Sequence, residues 1–183
     1  MTNPRTATLP PAYHGKVAEK RATLKQLRAH RAADQIVQGS YWTGNGDGKG
    51  CAVGCLTHDP NGGHAQFSER WGIPTNIAHL IDQLFESLPV EEAMEWPVRF
   101  MSAIPISADL SGVWDRWCVW MLRRLIAQAT AAGVTLDGSV EFMASLFERA
   151  AAGDEPPHED WSRAAWAARA ARAARAAEAA WAA

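Results

Sequence analysis

"ADLSGVWDRWCVWMLRRLIAQATAA", residues 108–132, decides the fold class. Leu110, Val113, Trp114, Trp117, Met121 and Leu125 recur at three- and four-residue steps, the period of a helix. Val119, Trp120 and Leu122 lie off that stripe, so the segment is apolar nearly all round and reads as a central core helix. Gly133 stops it. Downstream, "LDGSVEFMASLFERAAAG" (136–153) supplies a further helix, with Asp137 or Ser139 as N-cap and Gly153 as stop. Upstream, "GIPTNIAHLIDQLFESLP" (72–89) places Pro74 near a helix start, with Thr75 or Asn76 as cap. Ile77, Leu80, Ile81, Leu84, Phe85 and Leu88 follow at helical spacing. Pro89 and Pro97 frame a short acidic helix, and Pro97 opens another that ends at Pro105. No set of alternating strands appears, so the expectation is a mainly α protein.

Hydrophobic residues make up 48% of the 183-residue chain, enough for a substantial core. Nine Trp give that core, or the surface, a heavy aromatic content. Net charge is -2, which disfavours nonspecific nucleic-acid binding by the whole chain. The charge is unevenly placed. Residues 1–36 carry seven Lys/Arg against Glu19 and Asp34, or +5; residues 59–115 carry nine acids against Arg70 and Arg99, or -7. The two regions read as an intramolecular or intersubunit complement, with a nucleic-acid-binding arm as the alternative. Three cysteines do not make a secreted disulfide framework. No apolar run reaches the ~18 residues of a membrane span. "MTNPRTATLPPAYHG" lacks the apolar centre of a signal peptide. The expectation is a cytoplasmic protein with reduced thiols.

Three regions follow: a Pro- and Thr-rich N-terminus over 1–15, expected to be disordered; a compact helical domain over 16–153; and a tail over 154–183. The domain opens with a helix from Lys16 to Val37 whose apolar side is thin. In the tail, "WSRAAWAARAARAARAAEAAWAA" (161–183) is an Ala-rich helix, read as solvated beyond the packing of Trp161 and Trp166.

The chemistry concentrates in "GNGDGKGCAVGC", residues 44–55. Tyr41, Trp42 and Thr43 have strand character, and the glycines after them predict a turn or a short β-hairpin near 40–50. Glycine this dense marks sharp turns or close backbone approach. Glycine-flanked backbone running into a helix start can hold an anion, with Gly46, Gly48, Gly50, Cys51 and Cys55 around the ligand and Lys49 adding charge. No Ser or Thr follows Lys49, so this is not a Walker loop.

Two further readings use the thiols. Cys51 in a first helical turn beside Lys49 predicts a lowered pKa and a nucleophile, with His58 or His64 as base. Alternatively, Cys51, Cys55, His58 and His64, spaced C-x3-C-x2-H-x5-H, offer zinc four ligands, although no metal is favoured. Cys51 and Cys55, four apart on a helix, sit too far apart for a disulfide. Cys118 reads as core. His79 reads as lying on the polar side of its helix, and His14, His30 and His158 read as solvent residues. Asp82 and Glu86, four apart, and Glu91, Glu92 and Glu95 beyond them, read as solvated helix faces.

"GSYW…GKGCAVGCLTH", then "H…WGIP", "LFESLP", "WPVRFMSAIP" and "ADL", resemble a group of short proteins carried by phages, prophages and some bacteria. The likeness covers about residues 28–125, and GKGCAVGC, residues 48–55, is its specific part. The group often ends in Ala-rich tails; the Trp- and Arg-rich tail here differs from the Tyr- and Asp-rich ones of the group. The resemblance assigns no catalytic residues. Its mobile-element setting implies an accessory or counter-defence protein. The leading expectation is a non-enzymatic binding protein whose Gly/Cys loop takes an anionic small molecule or a host protein's surface. A thiol-dependent enzyme and a zinc-stabilised interaction module are the alternatives.

Overall fold

The computed structural model describes residues 9–44 and 48–181. Among these residues eight α-helices follow one another: α1 (Val17–Ala32), α2 (Ala52–Thr57), α3 (Gln66–Trp71), α4 (Thr75–Ser87), α5 (Val90–Ala103), α6 (Val113–Ala131), α7 (Gly138–Ala151) and α8 (His158–Trp181). The protein is mainly helical. None of these helices is long and apolar enough to cross a membrane. The chain divides into two units, Met1–Ser111 and Gly112–Ala183.

In the first unit α1 packs on α5, α2 packs on α1 and α4, and α4 packs on α5. The stripe expected on α4 is present, with Ile77, Ala78, Ile81 and Phe85 buried. Its cap position is taken by Pro74, and Thr75 opens the helix. The break expected at Pro97 does not occur: α5 runs through it, and Pro97 is buried. Basic α1 lies on acidic α5. Arg31 Nε meets Glu95 at 2.7 Å, and Lys20 Nζ donates to the carbonyls of Ser102 and Ile104 at 2.7 and 2.6 Å. Those are the bare carbonyls of a helix C-terminus, where a cation is favoured.

Residues 1–8 lie outside the described residues, but the rest of the N-terminal segment expected to be disordered is built into this unit. Tyr13 is wholly buried and donates its hydroxyl to Met101 O at 2.6 Å. Ala12 exchanges backbone hydrogen bonds with Ala108 and Ser107. Tyr13, His14 and Gly15 are all left-handed, with φ of 54°, 50° and 71°. The expected hairpin is not formed. Among the described residues there is no strand, only an isolated bridge between Ile36 and Gly50 and a loop closed by Thr43 N–H on Lys49 O at 2.9 Å.

The second unit pairs α6 with α7 and α7 with α8. Asp137 caps α7 by accepting from Ser139 N–H at 2.9 Å. Gly133 and Gly153 stop their helices with φ of 68° and 84°. The start of α8 packs on α7: Trp161 sets its ring edge on Phe147 at 4.9 Å, and Ala164 is fully buried. The reading of α6 as a core helix is corrected. Cys118 is its one buried residue, while Trp120, Met121 and Leu125 are exposed and Trp114 stacks on Trp117. Apolar periodicity located the helix, but it does not say how much of each face a neighbour covers.

Candidate functional site

The glycines of the 44–55 stretch answer to the chain itself. α2 is six residues long, and a Cβ built at Gly50 or Gly54 would overlap the carbonyl oxygen of Tyr41. At Gly48 a Cβ would come within 2.8 Å of the Trp42 ring and 2.7 Å of Gly44 O. The Tyr41–Trp42 segment therefore lies directly on a glycine floor. Three of the donors at the end of this stretch are also spoken for. Gly50 N–H donates to Gln35 O at 2.9 Å and Cys51 N–H to Ser40 O at 2.6 Å; Lys49 N–H donates to Thr43 Oγ1 at 3.1 Å. Gly46 lies outside the described residues.

Cys51 occupies the N-cap of α2, and its Sγ accepts from Gly54 N–H at 3.4 Å. Cys55, one turn on, is sealed in the core and donates its thiol to Gly50 O at 3.3 Å. Both thiols are free. The lowered pKa expected for Cys51 is reversed. Burial pushes both thiols up to about 12, and at Cys51 the neighbouring Asp82 carboxylate adds to the rise while the N–H groups of Gly54 and Val53 oppose it. A site 1% exposed disfavours the charged form more than one short helical turn can favour it.

Around Cys51 a polar cluster assembles from α4 and the loop before α3. Ligand atoms of Cys51, Asp82 and Glu86 lie within 4.8 Å of one another. His64 is 7% exposed, and its Nε2 meets Asp82 Oδ2 at 3.2 Å. The His79 ring stacks on His64 at 4.1 Å, and Tyr41 sets its ring edge-on to His64 at 5.6 Å. Glu86 Oε2 accepts from Gly39 N–H at 2.8 Å. Asp82 Oδ1 is buried, and the Cys51 thiol lies close enough to bond the Asp82 carboxylate. Asp82 and Glu86, read from the sequence as a solvated face, are thus part of the cluster. Their four-residue spacing was visible; their approach to Cys51 needed the packing of α2 on α4.

The four residues grouped for zinc do not converge. Cys51 and His64 go to Asp82, whereas Cys55 points into the core. His58 closes α2 in the left-handed conformation (φ 55°) and stacks on Trp42 at 4.3 Å. Its Nε2 lies 2.9 Å from His30 Nε2 and 3.3 Å from Gln26 Nε2. His30, read as a solvent residue, is buried and bonds Gln35 Oε1 through Nδ1 at 2.7 Å. No local sequence signal joins His30 to His58.

A cleft of about 430 Å³ opens elsewhere in the first unit, lined in part by His14, Lys16, Glu19, Thr23, Gln26, Arg70 and Trp71. Its walls are held in place. Trp71 Nε1 donates to Thr23 Oγ1 at 2.9 Å, and Gln26 Nε2 donates to Cys55 O at 2.6 Å. Arg70 covers the Trp71 ring at 4.6 Å, its NH1 reaches Leu56 O at 3.3 Å, and its own carbonyl meets His14 Nε2 at 3.2 Å. The left-handed turn at Tyr13–Gly15 is what carries His14 to this edge. No family model, curated protein or solved structure matches the chain.

Proposed function

We propose that the protein is a non-enzymatic binding protein, of the accessory or counter-defence type found on mobile elements, that takes an anionic small ligand in this cleft. The observation that carries the reading is the convergence of Lys16, Arg70 and His14 on one concave site. Its volume falls within the range of small-molecule pockets, ~300–1,000 Å³. Arg70 and Lys16 supply positive charge beside Glu19. Trp71 offers a flat apolar wall, and Thr23 and Gln26 add polar atoms. Left-handed Tyr13 and His14 each cost about 1–3 kcal/mol, and strain of this kind gathers at ligand sites. The proposed anion site is the cleft beside α1 and not the glycine loop expected from the sequence, where the N–H groups of Lys49, Gly50 and Cys51 already bond within the chain. An acidic segment of a host protein would present the same chemistry.

Titration calorimetry of the full-length protein against a panel of anionic metabolites, nucleotides included, tests the proposal. Binding should weaken about tenfold or more in Arg70→Ala and in Lys16→Ala, the loss expected for a charge-assisted hydrogen bond. A bound anion indifferent to both changes would refute the cleft.

A thiol-dependent enzyme with Cys51 as nucleophile and His64 as base is the second reading. It is supported by the meeting of Cys51 and His64 at Asp82. Against it stand the burial of the thiol and a pKa that keeps it protonated near neutrality.

A further inference from the structure

We infer that Cys51, Asp82 and Glu86 form a binding site for one divalent transition-metal ion of the zinc or cobalt type. The site shares no residue with the cleft and does not rest on the proposed function. Its donors come from two elements, the N-cap of α2 and successive turns of α4, with ligand atoms within 4.8 Å of one another. A tetrahedral ion spaces its ligands about 3.3–3.8 Å apart, given metal–sulfur and metal–oxygen lengths near 2.0–2.3 Å. Small side-chain rotations therefore close the site.

Each donor is already oriented by an outer partner, as ligands in metal sites are. Gly54 N–H holds Cys51 Sγ at 3.4 Å, His64 Nε2 holds Asp82 Oδ2 at 3.2 Å, and Gly39 N–H holds Glu86 Oε2 at 2.8 Å. Each carboxylate has a second oxygen that these bonds do not use. That of Asp82 is buried, and the Cys51 thiol that bonds this carboxylate is the group whose proton a cation would replace. A thiolate beside two carboxylates suits zinc or cobalt and not calcium or magnesium, which take oxygen donors. On binding, the thiol releases its proton to solvent and sulfur takes the metal. Three protein ligands leave a fourth position for water or for a donor atom from a partner. This set differs from the one spaced along the sequence, with which it shares only Cys51.

The test is titration of the full-length, chelator-treated protein with Co²⁺ and then Zn²⁺, following thiolate-to-cobalt charge-transfer absorbance and counting bound metal. The expected result is one equivalent bound, a charge-transfer band, and displacement of cobalt by zinc. Cys51→Ser should abolish the band. Asp82→Asn and Glu86→Gln should each weaken binding at least about tenfold, and Cys55→Ser should change none of these readouts. Glu86 is exposed, so Glu86→Gln reports on the site even if a Cys51 variant fails to fold. Failure to bind cobalt, cobalt binding without the thiolate band, or wild-type affinity in Glu86→Gln would each overturn the inference.

Discussion

The carbonyl oxygen of Tyr41 occupies the space that a side chain at Gly54 would need. Gly54 lies within α2, where alanine is the better helix former by about 1 kcal/mol. Local preference and tertiary packing therefore oppose each other at this position. Packing should win, because the obstacle is backbone and cannot rotate away. Gly54→Ala is expected to destabilise the first unit by about 3 kcal/mol or more. Gly44→Ala is the comparison. It lies in the loop before α2, where its Cβ would meet Gly48 at an ordinary 3.5 Å. Denaturant midpoints of the two variants check this, and equal midpoints would refute the account.

The same contact marks what the sequence could express. Helical period located α4 and its buried face, and Asp137, Gly133 and Gly153 were readable as helix punctuation because capping is local. The glycines announced a close approach, but not that Tyr41 makes it. The partners of Cys51, Asp82 and Glu86 on α4, are brought near only when α4 packs on α2, and His30 meets His58 only when α1 packs on α2. Charge and spacing along the chain encode neither meeting. The exposed side of α6 was misread because an apolar stripe fixes a helix without fixing its neighbours.

Acid should weaken the first unit through His58. Burial, then the nearby His30, then Arg70 hold its pKa below the ordinary 6.5. The unfolded chain therefore binds a proton at a higher pH than the folded one. The associated stability is present above about pH 6.5 and is lost as pH falls towards the folded pKa. His79 shifts in the same direction, with burial first among its causes, and shares the window. Urea midpoints taken from about pH 7.5 down to about pH 5.5 should fall in the wild type. They should fall less in His58→Asn, since Asn tolerates the left-handed cap position. A midpoint that is flat in the wild type would contradict the assignment.

Base should act through the buried thiols. Cys51 and Cys55 titrate near 12 in the folded protein, against 9.0 ordinarily. The unfolded chain loses these protons first, so stability is complete below about pH 9 and declines as pH rises towards 12. The limiting slope is about 1.4 kcal/mol per pH unit for each thiol. Cys55→Ala should remove about half of the thiol contribution, which comparison with the wild type isolates from the tyrosine and lysine titrations. At neutral pH, iodoacetamide should label Cys51 slowly until the protein unfolds. Fast stoichiometric labelling of the folded protein would instead favour the thiol-enzyme reading.

The tail should divide by position and not by composition. Ala-rich sequence buries little apolar area, so removing residues 159–183 would cost nothing if all of α8 were solvated. Its first turns are not. Trp161 meets Phe147 edge to face, Ala164 is fully buried, and Arg163 covers the Phe142 ring at 4.5 Å. Asp160 lies 3.7 Å from Arg149. A chain ending at Ala170 keeps all four contacts and should unfold as the full-length protein does. A chain ending at His158 should lose stability in the second unit. Trp161→Ala should lose about 2–3 kcal/mol, the scale of roughly 100 Å² of apolar ring surface returned to water. Melting curves of the three variants separate the cases. If the chain ending at His158 melts like the wild type, α8 does not stabilise α7; if the chain ending at Ala170 is destabilised, the remaining turns carry packing of their own.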